Sequence, residues 1–182
     1  MPPSIETNRL LLRPFTPDDA EALHAQVYGD PDVMEFLPGG IPRMLKQTER
    51  VIEYYTEAWK QYGYGVWAAT LKDSGVMIGQ AGLNFVEDVQ QTEVLFAIGK
   101  AYWGKGYAPE AAQAAMRFGF HEAGLGKIVA LAAPENERSL NVIKKLGMQV
   151  RRDVKLWKMK LKMFVMPVES FVSGDATFIP HD

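Results

Sequence analysis

The sequence predicts an α+β fold, with a mostly antiparallel central sheet of roughly six to seven strands and about four helices. Three observations carry this. Apolar runs at 66–71 and 76–85 flank Lys72-Asp73-Ser74-Gly75, a glycine-containing turn, which is a hairpin signal. A further apolar run, Val94 to Ile98, leads into a glycine loop and then a helical pattern. Near the C-terminus Lys158, Lys160 and Lys162 alternate with Met159, Leu161 and Met163, the period of two of a strand with one wet face.

Taken in order, residues 7–15 read as a first strand, in which Arg9 and Arg13 are expected to face solvent. Thr16, Pro17 and Asp19 form a capping pattern that opens a helix running to about residue 28. Pro31, Pro38, Gly39, Gly40 and Pro42 break the next stretch, which has room for one short helical turn at 33–37. Val51, Ile52, Tyr55, Ala58, Trp59 and Tyr62 recur at helical spacing and predict an amphipathic helix over 43–62. The hairpin follows, then a polar turn at 87–91 and the strand 92–98, together an antiparallel meander. After the helix that begins near Pro109, a strand at 127–133, a helix at 137–146 and a closing strand pair at 149–157 and 159–168 complete the pattern. The lysines of the last strand are expected to blunt a sheet edge or solvate one face. Residues 1–170 are expected to form one folded unit and 171–182, which lack periodicity, a loosely ordered tail.

The stretch from Lys100 to Ala115 is the most informative. Gly104 and Gly106 let the backbone turn sharply and approach a ligand, and Pro109 fits a first helical turn. Loop amides at a helix N-terminus make a seat for an anion, phosphate above all. The dinucleotide fingerprint is excluded, because its third glycine falls on Pro109, and no Gly-Lys-Ser or Gly-Lys-Thr exists for a triphosphate loop.

This loop resembles the acyl-CoA loop of the GCN5-related N-acetyltransferases, the GNAT superfamily, with Trp103, Gly106 and Ala108 in its motif slots. The motif's first slot is usually arginine or glutamine. Tryptophan there, within Tyr-Trp-Gly-Lys-Gly-Tyr-Ala, is similar to the ribosomal-protein N-terminal (alanine/serine) acetyltransferase branch, as is the opening Glu6-Thr7-x-Arg9-Leu10-x-Leu12-Arg13. A second block, Asn136-Glu137-Arg138-Ser139 followed by Lys145-Leu146-Gly147-Met148, resembles that family's later motif, in the right order and separation.

The resemblance implies the layered α/β/α GNAT fold with a mixed sheet and acetyl-CoA as cosubstrate. It implies that backbone groups of Phe96 and Ile98 hold the pantetheine arm and acetyl oxygen. The loop Trp103, Gly104, Lys105, Gly106, Tyr107 and Ala108 would hold the pyrophosphate. Asn136 would bond the pantetheine and Ser139 would lie near the thiol sulfur. Phe36, Tyr54 and Tyr55 fall where the family builds a wall of its acceptor groove. Glu93, on the feeding strand, is the candidate base. No tyrosine follows Tyr107, and Phe164 stands in the final strand, so Ser139 or water is left to protonate the thiolate.

Composition bounds the alternatives. The chain has 182 residues, 47% hydrophobic and 11% aromatic, enough for a substantial core. A net charge of -2 supplies no general attraction for nucleic acid. There are no cysteines, and the histidines His24, His121 and His181 are far apart in sequence, so no metal site is expected. No basic-then-apolar leader and no membrane-length run occurs, which predicts a cytoplasmic protein away from membranes, monomeric or homodimeric. The expected acceptor is a small-molecule amine or a protein N-terminus. A non-catalytic acyl-CoA sensor is the alternative, favoured by the missing acid tyrosine, and a flavin or nicotinamide enzyme conflicts with the absent third glycine.

Overall fold

The computed structural model describes residues 2–174 and 177–179 of the chain. Its strands are β1 (Ser4–Glu6), β2 (Leu10–Arg13), β3 (Val66–Leu71), β4 (Met77–Val86), β5 (Gln91–Ile98), β6 (Lys127–Ala132), β7 (Gln149–Leu156), β8 (Met159–Pro167) and β9 (Thr177–Ile179). Its α-helices are α1 (Ala20–Leu23), α2 (Pro31–Met34), α3 (Leu45–Tyr62), α4 (Tyr107–His121) and α5 (Glu137–Lys145). The strands form one sheet in the order β7-β8-β6-β5-β4-β3-β2-β1-β9, all neighbours antiparallel except β5 and β6. This is the expected α+β fold with nine strands among the described residues, more than the six to seven read from the sequence.

The extra strands have local causes. The strand expected at 7–15 is shortened to β2 and preceded by an unexpected β1, because Thr7 turns the chain: its amide donates to the Leu10 carbonyl at 2.9 Å and its hydroxyl accepts from the Leu10 amide at 3.0 Å. β1 and β2 then pair as a hairpin, Ile5 opposite Leu12. Within 171–182, read as a loose tail, Thr177–Ile179 pairs with β1, a non-local partner that no period in so short a segment announces. Residues 175–176 and 180–182 lie outside the described residues.

The helix expected over 16–28 is a composite of a 3₁₀ turn (Pro17–Asp19), α1 and a π turn (His24–Tyr28). The short turn expected at 33–37 begins earlier, as α2, because Pro31 occupies its first position and the Asp30 side chain accepts from the Asp32 amide at 2.8 Å. The prolines that read as breakers include this starter.

α4 lies on one sheet face, its buried Ala111, Ala112, Ala114 and Ala115 packed in a cluster with Ile78, Ala81 and Leu83. Trp59, Trp67 and Phe118 meet edge to face in the same cluster, with centroids 4.7 to 5.7 Å apart. α1, α2 and Ile52 of α3 pack with Ala68, Met77 and Ala97 from the alternate strand positions. The sheet is therefore sandwiched, three layers deep. In β8 the alternation holds, Leu161 and Met163 buried and Lys160 exposed. β8 is not an edge, since β7 lies outside it, so its lysines solvate one face.

Candidate active site

The parallel pair is where the sheet opens. β5 and β6 share one register position, Glu93 opposite Val129, and towards their C-terminal ends they splay apart. On the β4 side the Gly99 amide bonds the Ile78 carbonyl at 2.7 Å, so by strand alternation the main-chain groups of Phe96 and Ile98 face the gap. A Cβ at Gly79 would run into the Ala97 carbonyl, so only glycine lets β4 approach β5 this closely beside the gap.

Each strand leads through a loop into a helix that starts at the open end. α4 is preceded by Gly106 at its N-cap, with φ 82°, and Gly104 also has positive φ, 74°, so the two loop glycines hold conformations unfavourable to other residues. The amides of Tyr107 and Ala108, in the first turn, have no intrahelical acceptor. α5 starts at Asn136, whose side-chain oxygen accepts from the Ser139 amide at 3.2 Å. Two helix N-termini thus converge on one cavity of about 280 Å³, lined also by Phe96, Ile98 and Trp103 and by the cations Arg138 and Lys145. The Arg138 guanidinium lies 3.8 Å from the Trp103 ring, and the Trp103 indole donates to the Ile98 carbonyl at 2.7 Å. The cavity suits an elongated ligand with anionic groups near the glycine loop.

A second cavity, of about 260 Å³, abuts the first at Phe36, Phe96, Ala97, Asn136 and Ser139. It contains Glu93, Tyr54 and Tyr55. Glu93 is 8% exposed, and burial pushes its carboxyl up to about 7, against which a single hydrogen bond from Asn84 Nδ2 at 3.2 Å acts weakly. Asn84 in turn accepts from the Tyr54 hydroxyl at 2.9 Å. Tyr55 is buried, and burial first and then the nearby Tyr28 hold its phenol well above its ordinary value, so it stays neutral.

The sequence-derived candidates therefore divide between two adjoining cavities. Ile98, Trp103, Gly104, Gly106, Tyr107 and Ala108 line the first, Glu93, Tyr54 and Tyr55 the second, and Phe36, Phe96, Asn136 and Ser139 both. Lys105 is the exception: its carbonyl accepts from Arg9 and its Nζ lies 5.4 Å from the Tyr102 ring.

Arg9 and Arg13, read as solvent-facing, are both tied down. Arg13 makes a two-pronged pair with Asp19 at 2.7 and 2.8 Å. Arg9 grips Glu110 at 2.7 Å, donates to the Lys105 carbonyl at 2.8 Å and lies over the Tyr107 ring at 4.5 Å. Glu110 also accepts from Thr7 Oγ1 at 2.7 Å and from the Arg9 amide at 2.8 Å. Burial raises its carboxyl, but these bonds outweigh it and hold the carboxyl below its ordinary value. The β1–β2 turn is a strut for the glycine loop, roughly a hundred residues away in sequence, which no spacing rule reaches. Asn84 and Trp157 were missed for other reasons. Asn84 meets Glu93 only through the β4–β5 register, and Trp157 reaches the second cavity from a hairpin turn in which it and Lys158 have positive φ, 50° and 63°.

A parallel strand pair splayed beneath two helix N-termini, with a buried carboxylate in an adjoining cavity, is an arrangement suited to acyl transfer. The chain belongs to the GNAT acetyltransferase family, whose model, described as "Acetyltransferase (GNAT) domain", matches residues 9–149. It is similar to the "Uncharacterized N-acetyltransferase YnaD" of Bacillus subtilis, 32% identical over 80% of this chain and 82% of that protein. Among solved structures it is similar to a GNAT-family acetyltransferase from Bacillus anthracis, TM-score 0.78 at 26% identity, covering 91% of this chain and 99% of that one. It also shares the fold of the ribosomal L7/L12 alpha-N-protein acetyltransferase RimL in complex with coenzyme A, TM-score 0.76 at 15% identity, covering 90% and 97%. Among the described residues no group of acidic, histidine or cysteine side chains could hold a metal ion, and no helix is long and apolar enough to cross a membrane.

Proposed function

We propose that this acetyltransferase takes acetyl-CoA as donor and moves the acetyl group to a primary amine by direct attack in a ternary complex. The observation that carries the reading is the abutment of the two cavities at Phe96 and Ala97, one beneath two helix N-termini and the other holding a buried carboxylate whose pKa is about 7. The amides from Gly104 to Ala108 would take the pyrophosphate. Phe96 and the Ile98 amide would hold the pantetheine arm, the Ile98 carbonyl being engaged by Trp103. Asn136, with its oxygen committed to Ser139, keeps its Nδ2 donor for the pantetheine.

An amide aimed at the thioester oxygen would stabilise the developing oxyanion by about 3 to 4 kcal/mol. Glu93 would take the proton that the attacking amine sheds, and its raised pKa matches a base that works near neutrality. Ser139, where the cavities meet, or solvent would protonate the departing thiolate. The acceptor is a small-molecule amine or a protein N-terminus. The same reading has the enzyme working in the cytoplasm as a monomer or homodimer, without nucleic acid, for which a net charge of -2 offers no attraction.

Thiol release followed continuously with acetyl-CoA and a panel of amines tests this. Acceptor-dependent release that rises with pH through about 7 is expected. Release no faster than background hydrolysis with every amine would remove the reading.

A further inference from the structure

Besides Glu93, the second cavity contains one other ionic side chain, Arg43, and the construction around it is specific. Its amide donates to the Tyr28 carbonyl at 2.7 Å and its carbonyl accepts from His24 Nε2 at 2.9 Å, so its backbone is tied on both sides. Its guanidinium lies 4.9 Å from the Tyr28 ring centroid and donates to the Pro38 carbonyl at 3.3 Å. Of the five guanidinium N–H groups, that bond uses one. The ion pairs among the described residues include no partner for Arg43. A positioned, half-buried guanidinium that lines a cavity and has no acidic side chain paired with it is a fork suited to a carboxylate.

The rest of the wall narrows the choice. Tyr28, Tyr55 and Gln80 bond one another at 3.0 to 3.3 Å, so these polar groups are already satisfied. Phe36, Trp157 and Leu161 add apolar surface. A polyamine would bring several cations to a cavity with one carboxylate and an arginine. The α-amine of a protein N-terminus has no carboxylate beside it on its backbone, only a neutral peptide carbonyl.

We propose, building on the acetyl-transfer reading, that the acceptor is a free amino acid with an apolar side chain, its carboxylate held by Arg43 and its amine delivered to Glu93. The ammonium first releases one proton to solvent, and the neutral amine nitrogen then attacks the thioester carbonyl, forming the C–N bond as the C–S bond breaks. Its surplus proton passes to Glu93, and the thiolate takes a proton from Ser139 or solvent, which yields an N-acetyl amino acid and free CoA. Arg43 is a specificity residue in this scheme, two charges recognising the two ends of a zwitterion.

Matched pairs test it: phenylalanine against phenethylamine and leucine against isoamylamine, with saturating acetyl-CoA and thiol release as readout. The amino acid should be preferred in kcat/KM by roughly tenfold to a hundredfold, the size of a hydrogen-bonded charge pair. In Arg43→Gln that ratio should fall towards one, mainly through the acceptor KM, and Arg43→Lys should retain part of it. Melting temperatures of both variants establish that the fold persists. Equal use of acid and amine by the wild type, or an undiminished ratio in a folded Arg43→Gln, overturns the proposal. Acetylation of spermidine or a peptide N-terminus, with both pairs ignored, overturns it while acetyl transfer stands. Thiol release no faster than background hydrolysis with every acceptor overturns both.

Discussion

At the scale of single residues, Glu93 shows how position and environment contribute separately. The sequence places a carboxylate on the strand before the glycine loop, and burial pushes its carboxyl from the ordinary 4.5 to about 7, the range the proposed base needs. The folded protein therefore holds a proton that the unfolded chain releases between those values, so stability falls as pH rises from about 4.5 through about 7 and is level above. The loss is of the order of 3 kcal/mol. Glu93→Gln should lower turnover by roughly a hundredfold to ten thousandfold and abolish the rise in rate through neutrality, with CoA affinity intact. The same variant should melt higher than wild type at pH 8, because an amide carries no buried charge. Turnover against pH and melting at pH 8 check both, and an unchanged pH-rate profile would move the base elsewhere.

At the scale of elements, the glycine loop and the start of α5 do their work with help from outside. The loop backbone is fastened through the Lys105 carbonyl and α4 through Glu110, both by Arg9, and a Cβ at Gly106 would lie 3.3 Å from Arg9's guanidinium. Arg9→Ala should raise the dissociation constant of CoA about fivefold to tenfold, for the loss of roughly 1 kcal/mol of ordering. Calorimetric titration with CoA measures this, and unchanged affinity would show the loop to be rigid without its strut. In α5 the cap is Asn136. Asn136→Ala should therefore lose about 1 kcal/mol of stability along with CoA affinity. Asn136→Asp should recover the stability but not the affinity, since aspartate caps as well as asparagine yet has no N–H to offer the pantetheine. Melting temperature and CoA titration on the two variants separate the roles, and equal affinity in both variants and wild type would leave Asn136 as a cap alone.

At the scale of the whole molecule, the β1–β5 and β6–β8 parts of the sheet meet at one parallel register position and then diverge. A ligand lying in the gap touches both parts and binds only the native state. CoA and acetyl-CoA should each raise the melting temperature, by about 2.7 kcal/mol of added stability at a hundred times the dissociation constant. The two shifts should be similar, because the phosphates at the loop are common to both ligands. Thermal melts with each decide it, and no shift at saturating concentrations would remove the donor assignment.

The sequence by itself determined what is local. The two-residue period of β8, the 3.6-residue period of α3 and the strand, glycine loop and helix order around Gly104 and Gly106 were legible, because each is written in neighbouring residues. Motif order did the same for Asn136 and Ser139. The tertiary structure alone decided what depends on partners far along the chain. That Thr7 to Arg9 is a turn bracing the loop and that Thr177–Ile179 extends the sheet follow from contacts across much of the chain, and that Asn84 stands beside Glu93 follows from the register of one hairpin. Burial, which raises the Glu93 carboxyl to about 7, is likewise set by which elements close over it, and a linear pattern fixes which face of a strand is covered but not by what.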